Sequence, residues 1–378
     1  MTHPPVSAPR AILDTLPVDK RAQGAYTGFW KKRSGRRAAR APRTGEGGLP
    51  IKILILGARA RYEAYRPALP FVREQEPVFL SKDASEAAIL RAAPDAEVLF
   101  VDAITPVPGG LMEKLPKLKL VHSEGVAYNA IDLEAARSRG IYVCNNKGCN
   151  AGAVAEQTVF LMLALLRQGI TGDRAVREGR QMAVKERAMQ GGIRELGECA
   201  VGLYGLGDIA LASAQRLAPF GCRLFYFSPH RKPEEEARHS LTYLPREELL
   251  ARCDLISLHC AVTEETRGLA DDAFFSAMKP AAYLVNTARG DLVDNEALRR
   301  AILSGTIAGA GLDVISPEPV PADHPLLTMP APYCDRLVLS PHLGGITESS
   351  FRRAHLHMWR NVERLVSGQR PDNVVNGL

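Results

Sequence analysis

The chain of 378 residues has no long apolar stretch: its longest uninterrupted run, Val159 to Leu166, falls far short of the roughly 20 residues a membrane-spanning helix needs. No run of signal-peptide character opens the sequence, so neither a membrane span nor export is expected. The seven cysteines, an odd number, include no C-x-x-C pair and no companion histidines at zinc-finger spacing. Reduced thiols, a cytoplasmic protein and no metal site are the expectation. There is no internal repeat of solenoid length. Apolar residues at 46% and charged residues at 24% exclude wholesale disorder, collagen-like structure and coiled coil.

Net charge is nearly absent from the body of the chain once its first 50 residues are set apart. Residues 1–50 carry ten Lys and Arg against three acids, a balance of +7, whereas the whole chain is +6. The remaining body therefore sums to −1, and the basicity belongs to an N-terminal extension. Pro4, Pro5, Pro9, Pro17 and Pro42 interrupt any long amphipathic helix there. That extension fits a solubilising or inter-subunit arm. Neither a membrane nor a nucleic acid is expected as a partner.

Beyond it, strand-like and helix-like segments alternate, the pattern of parallel sheets with crossover helices. Strands are expected at Ile51–Leu56, Val98–Val101, Leu118–His122 and Ile141–Cys144. A helix from about Gly152 to Arg167 is apolar on nearly every face and reads as a buried hinge. A second series places six strands near Ala200–Tyr204, Arg223–Phe227, Leu255–His259, Tyr283–Asn286, Ala310–Val314 and Leu337–Ser340, the count of a doubly wound dinucleotide fold. A last helix, about Glu348 to Val366, is placed to return to the first unit. The fold class expected is α/β, with two doubly wound parallel-sheet domains: a substrate domain of residues 51–150 plus 344–378 and a dinucleotide-binding domain of residues 151–343.

The sharpest local motif is Gly202-Leu203-Tyr204-Gly205-Leu206-Gly207-Asp208-Ile209-Ala210, between a strand and a helix. Gly205 permits the tight turn, Gly207 lets backbone approach a pyrophosphate, and Ala210 lets helix and strand touch. The helix N-terminus offers unpaired N–H groups to the phosphates. After the next strand, Ser228-Pro229-His230-Arg231-Lys232 contains no acid to repel a 2′-phosphate. Ser228, Arg231 and Lys232 accordingly point to NADP or dual NADP and NAD use.

Four further polar residues stand at or just beyond expected strand ends: Arg289, Asp313, Glu318 and His342. Ligands of open α/β sheets bind outside the carboxyl ends of strands, so these converge on one crevice beside the glycine loop. Hydride delivered to a keto carbon leaves negative charge on oxygen, and His342 supplies the proton. Glu318 favours its imidazolium form. The fork of Arg289 suits the carboxylate and carbonyl of a planar 2-oxo acid. Asp313 is placed to contact the cofactor.

These segments, with Val285-Asn286-Thr287-Ala288-Arg289-Gly290, Gly311-Leu312-Asp313-Val314, Pro317-Glu318-Pro319 and Ser340-Pro341-His342-Leu343-Gly344-Gly345, resemble the D-isomer-specific 2-hydroxyacid dehydrogenase family, especially its glyoxylate/hydroxypyruvate reductase members. The resemblance covers about residues 51–378. It implies that Arg289, Glu318 and His342 are catalytic and that Asp208, Ile209, Cys260, Thr287, Ala288, Asp313 and Gly344 line the cofactor. It implies that Gly125, Val126 and Ala127 hold the substrate carboxylate through backbone N–H groups. A homodimer formed around residues 152–167 is also implied. Glu318, where the formate-oxidising branch has Gln, argues against a formate dehydrogenase. Departures are Ser228 for the usual acid, Ala127 for a common Gly, and Lys147 and Ala261 for common prolines. A second reading is a cofactor-sensing scaffold resembling dehydrogenase-like corepressors, with the basic extension as its partner-binding arm.

Overall fold

The computed structural model describes residues 51–191 and 193–378; the basic extension, and the readings attached to it, lie outside the described residues. Five strands come first: β1 (Ile53–Leu56), β2 (Val78–Leu80), β3 (Val98–Val101), β4 (Leu120–Ser123) and β5 (Tyr142–Cys144). They pair in parallel in the order β2-β1-β3-β4-β5, the flavodoxin-like arrangement. Sequence patterning shows only four of them. β2 is three half-buried residues, too short to carry a period.

Parallel strands are covered on both faces and so read as continuous apolar runs. In β1, Leu54 and Leu56 pack with Ile89, Leu111 and Met112 on one side. Ile53 and Ile55 face the other way and meet Met358, Trp359 and Val362 of the C-terminal helix, Glu348–Val366. Burying each of these side chains contributes roughly 2 kcal/mol. Thr347 starts that helix by accepting the Ser350 N–H at 3.1 Å. The chain therefore returns to the first sheet only a few residues after His342.

The second sheet contains β6 (Ala200–Tyr204), β7 (Arg223–Phe227), β8 (Thr242–Tyr243), β9 (Leu255–Leu258), β10 (Tyr283–Asn286), β11 (Gly309–Leu312) and β12 (Leu337–Leu339). Their order is β12-β11-β10-β9-β6-β7-β8, with every pair parallel. The first six strands follow the Rossmann order 3-2-1-4-5-6, and β12 adds a seventh at the edge. The expected count of six is thus corrected to seven, because the two residues of β8 leave no pattern to detect.

The hinge helix, Ala151–Leu166, buries Leu161 and Leu165 against Val201, Leu203, Leu255 and Val285 of this sheet. Its apolar character is that of a core helix: among the described residues no single helix is long and apolar enough to cross a membrane.

Candidate active site

At the end of β6, Gly205 has φ +99°, and a Cβ there would lie 2.8 Å from the carbonyl carbon of His259 and 2.9 Å from the Cys260 nitrogen. Only glycine fits both the dihedral and the contact. Its N–H donates to the Phe227 carbonyl at 2.8 Å, closing the turn. Gly207 is the N-cap of the helix Asp208–Leu217, and a Cβ on Gly207 would meet nothing within 4 Å. The open space lies at a helix N-terminus, whose N–H groups at Asp208 and Ile209 are orphan donors carrying partial positive charge. This cradle fits the pyrophosphate of a dinucleotide.

The neighbouring strand ends are neutral. Burial holds the His259 imidazole down to about 4, and its Nε2 lies 2.9 Å from Ser257 Oγ. Burial pushes the Cys260 thiol up to about 11, so it stays protonated at neutral pH. Beyond β7, Ser228 is buried. Arg231 is engaged within the chain: its Nε and Nη2 each donate to Glu236 at 2.8 Å. Tyr226 donates to the same carboxylate at 2.7 Å. Hydrogen bonds from Arg231 and then Tyr226 draw Glu236 down to about 2. Lys232 reaches back over the glycine loop, with Nζ 2.5 Å from the Leu206 carbonyl. Lys232 thus sets its ammonium against the loop, whereas Arg231 is paired with Glu236.

At the ends of β10 and β11 the chain is pinned by short polar contacts. Thr287 Oγ1 lies 2.9 Å from Thr158 Oγ1 of the hinge helix, and the Ala288 N–H donates to Asn286 Oδ1 at 3.0 Å. Arg289 is exposed, and its Nη1 donates to the Ala288 carbonyl at 2.6 Å. A Cβ on Gly290 would lie 2.3 Å from the Ser316 nitrogen, so this glycine is what lets the Arg289 turn abut the loop carrying Glu318. Ser316 is itself fixed: its Oγ donates to Asp291 at 2.5 Å and its carbonyl accepts from Asn295 at 2.7 Å.

His342 follows β12 with φ +57°, a left-handed conformation that costs a non-glycine residue on the order of 1–3 kcal/mol and recurs at functional sites. Asp313 holds it there. The His342 N–H donates to the Asp313 carbonyl at 2.8 Å. The buried Asp313 carboxylate accepts from Ser340 Oγ at 2.7 Å, the Leu343 N–H at 3.0 Å and the Gly344 N–H at 2.8 Å. Gln157 of the hinge helix adds donors to Asp313 at 3.3 Å and Ser340 at 2.9 Å. Asp313 thus organises the His342 loop, a job the sequence did not reveal. The signal for it was Gln157, in the polar run Glu156-Gln157-Thr158 that interrupts an otherwise apolar helix.

The side chain of His342 meets Glu318, with Nδ1 2.9 Å from each carboxylate oxygen. Nδ1–H donates, leaving Nε2 for a reacting group. Both side chains are about half exposed. In the other sheet, β4 ends at Ser123 and the loop Gly125–Ala127 follows. Its carbonyls are taken: Gly125 accepts the Asn146 N–H at 2.9 Å, Val126 accepts Asn145 Nδ2 at 2.6 Å, and Ala127 accepts Ser123 Oγ at 2.7 Å. Among the described residues, the N–H groups of Val126 and Ala127 have no acceptor. Two free amides in one turn suit a carboxylate.

Residues 159–344 match the family described as D-isomer specific 2-hydroxyacid dehydrogenase, NAD binding domain. A glyoxylate reductase of Korarchaeum cryptofilum is 35% identical over 292 residues, 77% of this chain and 86% of that protein. The chain belongs to the D-isomer specific 2-hydroxyacid dehydrogenase family. A D-3-phosphoglycerate dehydrogenase of Mycobacterium bovis is 36% identical over 288 residues, 76% of this chain and 52% of that longer protein. Among solved structures, a D-2-hydroxyisocaproate dehydrogenase superposes with TM-score 0.76 at 25% identity, covering 86% of this chain and all of that one. Membership in this dehydrogenase family supports an oxidoreductase with a nicotinamide dinucleotide cofactor, and the cradle at Gly205–Ile209 has the shape for it.

Proposed function

We propose that the protein reduces a 2-oxo acid to the D-2-hydroxy acid with NADPH or NADH, as a glyoxylate/hydroxypyruvate reductase-like enzyme. The reading is carried by the His342–Glu318 contact of 2.9 Å, an acid–base pair on the same carboxyl edge of the sheet as the glycine loop. When bound, the nicotinamide supplies the hydride for the keto carbon.

The chain's own residues do the rest. Gly205, Gly207, Asp208 and Ile209 cradle the pyrophosphate, and Cys260, Thr287, Ala288, Asp313 and Gly344 line the path toward the nicotinamide end. Arg289 meets the substrate carboxylate and polarises the carbonyl. Gly125, Val126 and Ala127 receive the carboxylate on backbone amides. His342 Nε2 delivers the proton to the developing alkoxide in reduction and takes it in oxidation, while Glu318 stabilises the imidazolium. Ser228, with Lys232 and the paired Arg231, gives the site its leaning toward NADP. The substrate domain comprises 51–150 plus 344–378 and the dinucleotide domain 151–343. Homodimers form around residues 152–167, where Phe160 stays exposed.

A spectrophotometric screen of glyoxylate, hydroxypyruvate, pyruvate and bulkier 2-oxo acids with each cofactor tests this. Turnover of at least one 2-oxo acid is expected; none with either cofactor would overturn the reading.

A further inference from the structure

The residue immediately before the carboxylate loop carries a buried charge that none of the roles above uses. Glu124 has a side chain 5% exposed. Its Oε1 accepts from Arg61 Nε at 3.0 Å and lies 2.8 Å from His355 Nε2. Its Oε2 accepts from Arg61 Nη2 at 2.5 Å. Arg61 comes from the helix after β1, and His355, wholly buried, from the C-terminal helix. One carboxylate therefore ties together three segments that are distant in sequence.

The backbone of the same turn is held by Asn146 and His122, two side chains that the same helix contacts in turn. Asn146 Nδ2 donates to the carbonyls of Glu124 at 2.8 Å and Ser123 at 3.3 Å. Asn146 Oδ1 lies 2.9 Å from His357 Nδ1. His122 Nδ1 donates to the Ser123 carbonyl at 2.9 Å, and its Nε2 accepts from Asn361 at 3.0 Å. Burial holds His122 down to about 3 and lowers His357. Both rings are therefore neutral near pH 7, and their hydrogen bonds fix which nitrogen carries the proton.

A buried ion pair costs desolvation that a well-packed apolar pair of similar volume avoids. On the same helix Met358, Trp359 and Val362 supply that apolar packing. His355, His357 and Asn361 instead aim polar atoms at the turn preceding Gly125, through Glu124, Asn146 and His122.

We propose that Glu124 is a positioning residue: clamped by Arg61 and His355, it holds the free amides of Val126 and Ala127 in register for the carboxylate of the 2-oxo acid. This rests on the reading of that loop given under the proposed function. The clamp acts on substrate binding and leaves the cofactor cradle, in the other sheet, alone.

The experiment is a double-mutant cycle of Glu124→Gln and Arg61→Gln on the full chain. Readouts are kcat, KM for the best 2-oxo acid, and the dissociation constant for NADPH or NADH by fluorescence. Each single variant raises the oxo-acid KM about tenfold or more, because small misplacements of binding groups are costly. Its kcat stays within about threefold, and cofactor affinity is unchanged, which also reports an intact fold. The double variant is less impaired than the product of the singles, because both act through one contact. If Glu124→Gln does not fold, Arg61→Gln, at the partly exposed end of the clamp, carries the test alone. An unchanged oxo-acid KM in a folded single variant, or a parallel loss of cofactor affinity, would overturn the proposal. Absence of turnover by the wild-type chain would instead overturn the loop reading, and the proposal with it.

Discussion

His342 Nδ1 sits 2.9 Å from both carboxylate oxygens of Glu318, although 24 residues separate them. The pair forms because β11 and β12 are neighbours, so the loops leaving their carboxyl ends share one edge. His342→Ala is expected to lower kcat about 10³-fold, the range for losing a general acid, with NADPH or NADH affinity within about twofold. Steady-state kinetics and cofactor titration check this, and full kcat would remove His342 from the mechanism.

Arg289→Lys keeps the charge but loses the planar fork. We expect kcat/KM for the 2-oxo acid to fall about 100-fold, with cofactor binding preserved. A loss below about threefold would mean that Arg289 does not meet the substrate carboxylate.

Cofactor choice is tested at Ser228. Placing an acid at the strand end repels a 2′-phosphate, so Ser228→Asp should shift the NADPH to NADH ratio of kcat/KM at least about tenfold toward NADH. A wild-type enzyme already strongly selective for NADH would contradict the NADP leaning.

Gly205→Ala puts a Cβ against the His259 and Cys260 backbone at a φ of +99°. The strain, roughly 2 kcal/mol, should lower the melting temperature and abolish cofactor binding. Retained affinity would show that the glycine turn is not the phosphate cradle.

Acid stability isolates another buried charge. Burial of Asp254 alone would raise its pKa, but hydrogen bonds from Lys279, the Ala200 N–H and Arg194 outweigh it and bring the carboxyl down to about 2. A depressed folded-state value contributes stability above the unfolded value near 4, and that contribution is lost as the pH falls through about 2. Asp254→Asn should therefore be roughly 2 kcal/mol less stable than wild type at pH 7. The difference should shrink between pH 4 and pH 2 in denaturant titrations. A gap independent of pH would assign the loss to packing.

Much of this architecture is legible in one sequence because parallel sheets are read from continuous apolar runs. Val98–Val101 and Ala200–Tyr204 announce themselves, and polar residues just past such runs must share the carboxyl edge. β2 and β8 are too short to be seen. The Glu124 clamp is invisible for a different reason. His355, His357 and Asn361 look like the polar side of an amphipathic helix until the fold turns them onto the end of β4. Arg231 is similar: nothing in its basic run shows that Glu236, one helical turn into the next segment, holds its guanidinium.

The most direct test is chiral analysis of the product formed from hydroxypyruvate, whose reduction creates a stereocentre, while NADPH or NADH consumption is followed spectrophotometrically. The account predicts stoichiometric oxidation of the cofactor and D-glycerate alone. L-glycerate, or no consumption of either cofactor with any 2-oxo acid, would contradict it.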